Sequence, residues 1–196
     1  ASVLRAFESA TVNGVSGPSR IPPSHRSHRA LYRHSKLRKL YDWLFVEPEN
    51  RPGHLTQAGT FVPDPNWDYQ GEVEFLEACN MSFRTEALKA IGGFDEAYGG
   101  IGDWSEPDAA FRLREKYGDK CLWFTPKAAL EHRPSIQGAY HKRRRTGYRL
   151  KNYLLFASRW VKPWLKHSEY KAFLYVYYGI KAASAIWYAS WEMFRK

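Results

Sequence analysis

The segment from Thr85 to Tyr117 restricts the fold most, because its glycines fix where helices must end. Thr85 to Ile91 predicts a short helix with Thr85 as its N-cap. Gly92 and Gly93 follow directly, and glycine commonly ends a helix because it adopts left-handed backbone angles without strain. The chain is therefore expected to turn sharply at these two glycines.

A second helix is predicted after the glycine-rich loop, from Ser105 to about Tyr117. Glu106 and Asp108 fall in its first turn. A carboxylate there meets the positive end of the helix dipole, so we expect the ionised form to be favoured. Such a carboxylate, directed into a cleft, can take a proton from a hydroxyl group.

A purely structural interpretation of this helix start is also open. Ser105 and Asp108 have the spacing of a capping box, in which a side chain reaches back to the cap N–H. Asp108 can also pair with Arg112 one turn later. Asp108 is thus predicted either to face a cleft or to bond the helix start and Arg112.

The order of motifs around these helices resembles the catalytic half of the family 2 glycosyltransferases. These are inverting, metal-dependent enzymes with the GT-A fold. The resemblance extends from about Val12 to Arg159. It implies an α/β fold, a partial GT-A domain without its nucleotide-binding half. The ordered motifs are Gly92-Gly93-Phe94-Asp95-Glu96, Glu106-x-Asp108, Arg112, Leu122-Trp123-Phe124, Pro126 and His132.

The resemblance places Glu106 at the position of the base that deprotonates the acceptor hydroxyl. The family usually has Glu-Asp-x-Asp here, whereas this chain has Ser105-Glu106-Pro107-Asp108. Because of this departure, Asp108 and Asp103 remain competing candidates. The same resemblance assigns substrate binding to Asn80, Arg84, Gly92, Gly93, Asp103, Trp104 and Trp67.

Two of these assignments have simpler alternatives. Asn80 follows a predicted strand, Glu72 to Cys79, and asparagine is common in turns because it bonds its own backbone. Trp67 and Tyr69 lie on a proline-rich loop, where they can stack on a sugar or pack onto the domain.

The resemblance also implies a divalent cation, Mn²⁺ or Mg²⁺, with His132 as one ligand. A single histidine does not hold a hard cation, which prefers carboxylate and phosphate oxygens. The alternative for His132 is an ordinary surface or half-buried histidine.

We expect two units, a partial catalytic domain at 1–140 and a basic, aromatic helical tail at 141–196. A chain of this length, with 44% hydrophobic residues, can bury a core. No phosphate-binding glycine loop occurs, so we expect a segment of a longer protein, lacking roughly 80–110 residues if one mononucleotide-binding half is absent. Cys79 and Cys121 are predicted to be free thiols in strands.

The net charge of +10 is concentrated in the tail. No acidic residue occurs from His132 to Ser168. Such a basic stretch is usually a solvated face, and nucleic acid is its usual functional alternative, but Tyr and Trp crowd the following segment, 171–191. This combination favours a peripheral helix on an anionic membrane surface, at the cytoplasmic face, over nucleic-acid binding; packing as a terminal helix pair is the alternative. The cations are Arg133, Lys142, Arg143, Arg144, Arg145, Arg149, Lys151, Arg159, Lys162 and Lys166.

The resemblance implies transfer of a sugar from a nucleotide-diphosphate sugar donor to a glycan or lipid-linked acceptor, with inversion. The rival hypothesis is a non-catalytic module that binds a membrane surface or nucleic acid and retains only a remnant of the transferase fold.

Overall fold

The chain folds as a mixed α/β structure, which confirms the predicted class at this level. The computed structural model describes residues 2–20, 22, 51–55, 61, 65–133, 146–161 and 179, with the backbone alone at 146, 147, 149 and 150. The helices are α1 (Ser2–Ala6), α2 (Thr85–Ala90), α3 (Ser105–Tyr117) and α4 (Thr146–Phe156). The strands are β1 (Gly14–Ser16), β2 (Ser19–Arg20), β3 (Gly71–Glu72), β4 (Met81–Phe83), β5 (Leu122–Phe124) and β6 (Leu130–Glu131).

The larger sheet has four short strands in the order β3-β5-β1-β4. Its two central strands, β1 and β5, are parallel, and the outer two are antiparallel to their neighbours. A side chain at Gly14 would meet the methyl carbons of Leu122 and Leu76 at 2.7 Å, so glycine lets β1 lie close to the core. β2 and β6 form a separate parallel pair.

Two buried clusters hold the described residues together. The first lies between the sheet and α3, where Leu113, Leu122 and Phe124 are fully buried. The second lies between α4 and the loop before α3, where Tyr153 and Phe156 pack with Trp104. The first part of the predicted tail therefore packs against the predicted catalytic domain.

The predicted strand from Glu72 to Cys79 is wrong beyond its first residue. Residues 73–79 form bends and a turn instead of a strand, and the carbonyl of Gly53 accepts the N–H groups of both Glu74 and Phe75. Cys79 is consequently exposed in a turn, and Cys121 is buried in a short 3₁₀ turn before β5. Both thiols are free, but neither lies in a strand.

The second predicted helix is confirmed at both ends, and the first ends one residue early. The prediction of Thr85 as N-cap is wrong: Arg84 caps α2, with extended backbone and no side-chain cap bond. The capping box of α3 is absent as well. Trp104 is its N-cap, in the left-handed region at φ 69°, and no side chain bonds the cap.

Within the described residues, no helix is long and apolar enough to cross a membrane. α4 continues into a π-helical turn at Ala157–Val161. The predicted interfacial segment, 171–191, lies outside the described residues except for Gly179. The cations from Lys142 to Arg145 and at Lys162 and Lys166 also lie outside them.

Candidate functional site

A cleft of about 450 Å³ opens at the start of α3. It brings together three of the predicted site residues, Asp103, Trp104 and Glu106. Residues 75–79, which the sequence predicted as part of a strand, also line it. Its lining includes the side chains of Phe61, Phe75, Glu77, Cys79, Asp103, Trp104 and Glu106.

Glu106 is half-buried at the first turn of α3 and lines this cleft. Burial raises its pKa, and the negative charge of Asp103 raises it further. Its own backbone N–H and the Ser105 hydroxyl act in the opposite direction without overcoming burial. The expectation that the helix start would favour the ionised form is therefore wrong for Glu106, because desolvation outweighs the local donors.

Glu77 is a second carboxyl group of the cleft, and no motif pointed to it. Burial raises its pKa, and the charge of Glu106 raises it further. Among the described residues its side chain has no hydrogen-bond partner. The two glutamates thus share one poorly solvated space, and each charge disfavours the other.

Aromatic rings form one wall of the cleft. Trp104 is buried and stacks on Phe61, with ring centroids 5.4 Å apart and an interplanar angle of 23°. Phe61 also contacts Phe75 at 5.2 Å and is itself 38% exposed. Trp104 packs edge-on against Tyr153 of α4 at 5.3 Å, so the tail helix supports this wall from behind.

Asp108 does not line the cleft but is the centre of a buried polar network. Its Oδ1 accepts hydrogen bonds from the Tyr98 hydroxyl at 3.0 Å, from Arg159 at 3.0 Å and from the Trp160 indole at 2.9 Å. Its Oδ2 accepts one from Arg112 at 2.8 Å. This fully buried carboxylate ties α3 to the end of α4 and confirms the predicted pairing with Arg112.

Arg112 also fixes the glycine turn. Its guanidinium donates to the carbonyls of Ile91 and Gly93, the latter at 2.8 Å. Gly92 and Gly93 both have positive φ, 80° and 74°, as a helix stop requires. They lie at the end of α2 and do not line the cleft.

The side chains of Asn80 and Arg84 donate hydrogen bonds to backbone carbonyls. The Asn80 amide donates to the carbonyls of Ala128, at 2.7 Å, and Pro18, at 3.3 Å, and so joins the turn before β4 to two distant segments. Arg84 donates to the carbonyls of Phe7, Ser9 and Val12 and lies over the Phe7 ring.

Trp67 packs on the first core cluster and stacks on Phe124, with centroids 6.1 Å apart. Tyr69 contacts the same ring and donates its hydroxyl to the carbonyl of Glu72 at 2.8 Å. Both rings therefore pack onto the domain, as the alternative to sugar stacking predicted, and neither lines the cleft.

His132 follows β6, and its backbone N–H donates to the carbonyl of Arg20 at 2.8 Å. It is not among the residues that line the cleft with Glu106. In the described part of the chain, no group of three or more His, Cys, Asp or Glu side chains is placed to hold a metal ion. The described residues do not by themselves fit a cation, and the metal role of His132 stays a prediction.

No protein-family model, curated protein or solved structure matches the chain. The cleft is therefore interpreted from its own chemistry. Sequence reasoning missed Glu77, Phe61 and Phe75. Glu77 lies three residues before Asn80 in the sequence, but only the fold brings its carboxyl group near that of Glu106.

Proposed function

We propose that this chain carries the acceptor side of an inverting glycosyltransferase similar to family 2, with a partial GT-A fold and with Glu106 as the general base. The observation that supports this most is the position of Glu106. A half-buried carboxyl group at the start of α3 faces a cleft whose wall is built from aromatic rings. Of these rings, Phe61 is 38% exposed and provides an apolar face on which a sugar can stack.

The reaction is a direct displacement at the anomeric carbon of a nucleotide-diphosphate sugar. The acceptor oxygen forms a bond to that carbon while the bond to the diphosphate oxygen breaks. The acceptor proton passes to the Glu106 carboxylate. A raised pKa suits this task, because a base is most effective when its pKa approaches the working pH.

The other carboxylates suit the role less well. Both oxygens of Asp108 are already engaged by four donors, so this side chain positions α3 instead of facing an acceptor. Asp103 lines the cleft and remains the competing base. Its charge also helps to raise the pKa of Glu106.

The test is Glu106→Gln in the natural gene product purified from its source cells. Release of nucleoside diphosphate is measured with UDP-, GDP- and dTDP-sugars and a cell-envelope extract as acceptor. We expect a loss of about a hundredfold to ten-thousandfold, the usual contribution of a general base. The matched control is Glu86→Gln, since that side chain is 85% exposed on α2 and away from the cleft.

Circular dichroism and a urea midpoint near the wild-type value show that Glu106→Gln leaves the fold intact. Full activity of a folded Glu106→Gln protein would contradict the role of Glu106 and leave Asp103 as the candidate base, whereas a folded wild-type protein with no transfer activity would favour the non-catalytic module.

A further inference from the structure

The described residues that line the cleft differ in charge from the chain as a whole. Glu77, Asp103 and Glu106 contribute carboxyl groups to its lining, and none of the described residues that line it is basic. The chain as a whole carries a net charge of +10. A concave site with walls of low polarity strengthens the local field of such groups. Carboxyl groups in such a lining can discriminate between ligands of different charge.

The aromatic wall and the carboxyl groups face the same space. Phe61, Phe75 and Trp104 contact one another in the lining of the cleft, and Glu77 lines the same space two residues after Phe75. A sugar ring can place its C–H face on the exposed Phe61 ring and donate its hydroxyls to carboxylate oxygens. A carboxylate or phosphate on that ring would meet the carboxyl groups of Glu77 and Glu106.

We propose that the cleft selects a neutral or amine-bearing sugar as acceptor unit and rejects acidic sugars, with Glu77 as the residue that sets this selectivity. The inference rests on the proposed function, because it assigns the substrate class of the same cleft.

Two features support a role for Glu77 in recognition. Its side chain has no hydrogen-bond partner among the described residues, so its oxygens are available to a ligand. The proximity of Glu106 raises the pKa of Glu77, and a ligand ammonium group would relieve this repulsion. A hexosamine supplies both the ammonium group and the ring.

The first test uses glucosamine, glucose and glucuronate, which share a ring and differ in charge. Binding to the chain is measured without donor by saturation-transfer NMR and by Trp fluorescence. We expect glucosamine to bind about threefold tighter than glucose, the scale of a partly exposed ion pair, and glucuronate to bind weakest. Glu77→Gln should remove the preference for glucosamine but keep glucose binding, whereas Glu86→Gln should leave the order unchanged.

The second test needs no sugar affinity and uses Cys79 as a reporter. Cys79 is exposed at the cleft, while Cys121 is 1% exposed. Iodoacetamide and iodoacetate differ little in size but differ by one negative charge. We expect Cys79 to favour iodoacetamide about threefold more strongly than free mercaptoethanol does, at low salt. Glu77→Gln should bring this ratio closer to that of mercaptoethanol.

Equal or tighter binding of glucuronate, no binding of any of the three sugars, or an unchanged reagent ratio in Glu77→Gln would overturn the inference. These outcomes are independent of catalysis. Lost selectivity together with an inactive Glu106→Gln protein would remove the inference and leave the proposed function. Intact selectivity together with an active Glu106→Gln protein would remove the proposed role of Glu106 and leave the selectivity of the cleft.

Discussion

Asp108 shows how a single carboxylate determines the arrangement of three segments. Four donors from α3, the preceding loop and the end of α4 meet its two oxygens, and its side chain is 0% exposed. A charge buried this completely is tolerated only when its partners are all present. Arg159 also bonds Asp95 at 2.7 Å, which extends the network to the glycine turn.

Asp108→Asn keeps the shape and removes the charge. We expect it to lower the free energy of unfolding by about 3 kcal/mol, because Arg112 and Arg159 then lose their buried partner. Urea unfolding at neutral pH measures this loss. Glu86→Gln removes an exposed ion pair and should change stability by less than about 0.5 kcal/mol. Equal midpoints for the two variants would show that the network contributes nothing.

Glu77 gives a pH-dependent prediction at the same scale. Its pKa in the folded protein is raised above the ordinary value of 4.5, so the folded state binds its proton more tightly than the unfolded state does. The contribution of Glu77 to stability therefore falls as pH rises from 4.5 through the folded pKa. Glu77→Gln removes this pH-dependent loss of stability, because glutamine does not ionise.

We accordingly expect Glu77→Gln to match the wild type at about pH 4 and to be more stable at about pH 8. Thermal unfolding at both pH values measures the difference. Glu86→Gln serves again as the control. A Glu77→Gln protein that is less stable at the higher pH would mean that Glu77 has a stabilising partner.

At the scale of elements, α4 supports the loop that carries the cleft. Asn152 is fully buried, and its side chain bonds both the N–H and the carbonyl of Gly99, at 3.2 and 3.0 Å. A Cβ at Gly99 would lie 2.7 Å from the ring of Tyr148, so the helix and the loop are in close contact. The position of Trp104 thus depends on a helix that begins about forty residues later.

Asn152→Ala removes both bonds and leaves the Gly99 backbone groups without their partner. We expect a loss of about 2 kcal/mol or more and faster amide exchange in the loop before α3. Hydrogen exchange with mass spectrometry measures the second effect. Lys151→Ala changes the exposed neighbour on the same helix and should leave the loop protected. Unchanged exchange in Asn152→Ala would show that α4 does not hold the loop.

The sequence predicted the elements whose signals are local. Gly92 and Gly93 marked the end of α2, the limits of α3 were correct, and Asp108 paired with Arg112 as its spacing indicated. The bends and turn at 73–79 were missed because the contact that accompanies them is distant: the Gly53 carbonyl accepts the N–H groups of Glu74 and Phe75. Glu77 was missed for the same reason. The raised pKa of Glu106 depends on burial, which a motif does not encode.

At the scale of the whole molecule, a chain of net charge +10 has a cleft whose described lining carries three carboxyl groups, and we propose that Glu106 removes a proton there. Asp103 is the discriminating neighbour, because its charge raises the pKa of Glu106 while it competes for the same role. The pH dependence of transfer separates the two. A general base must be ionised, so the acid limb of kcat/KM reports its pKa in the free enzyme.

The decisive measurement is this acid limb for the wild type and for Asp103→Asn, with the natural gene product. We expect the wild-type limb above pH 4.5, the ordinary value for a glutamate. Asp103→Asn should stay active with its limb moved to lower pH, because a neighbouring negative charge has been removed. An inactive but folded Asp103→Asn protein, together with an active Glu106→Gln protein, would contradict the account and assign the base to Asp103.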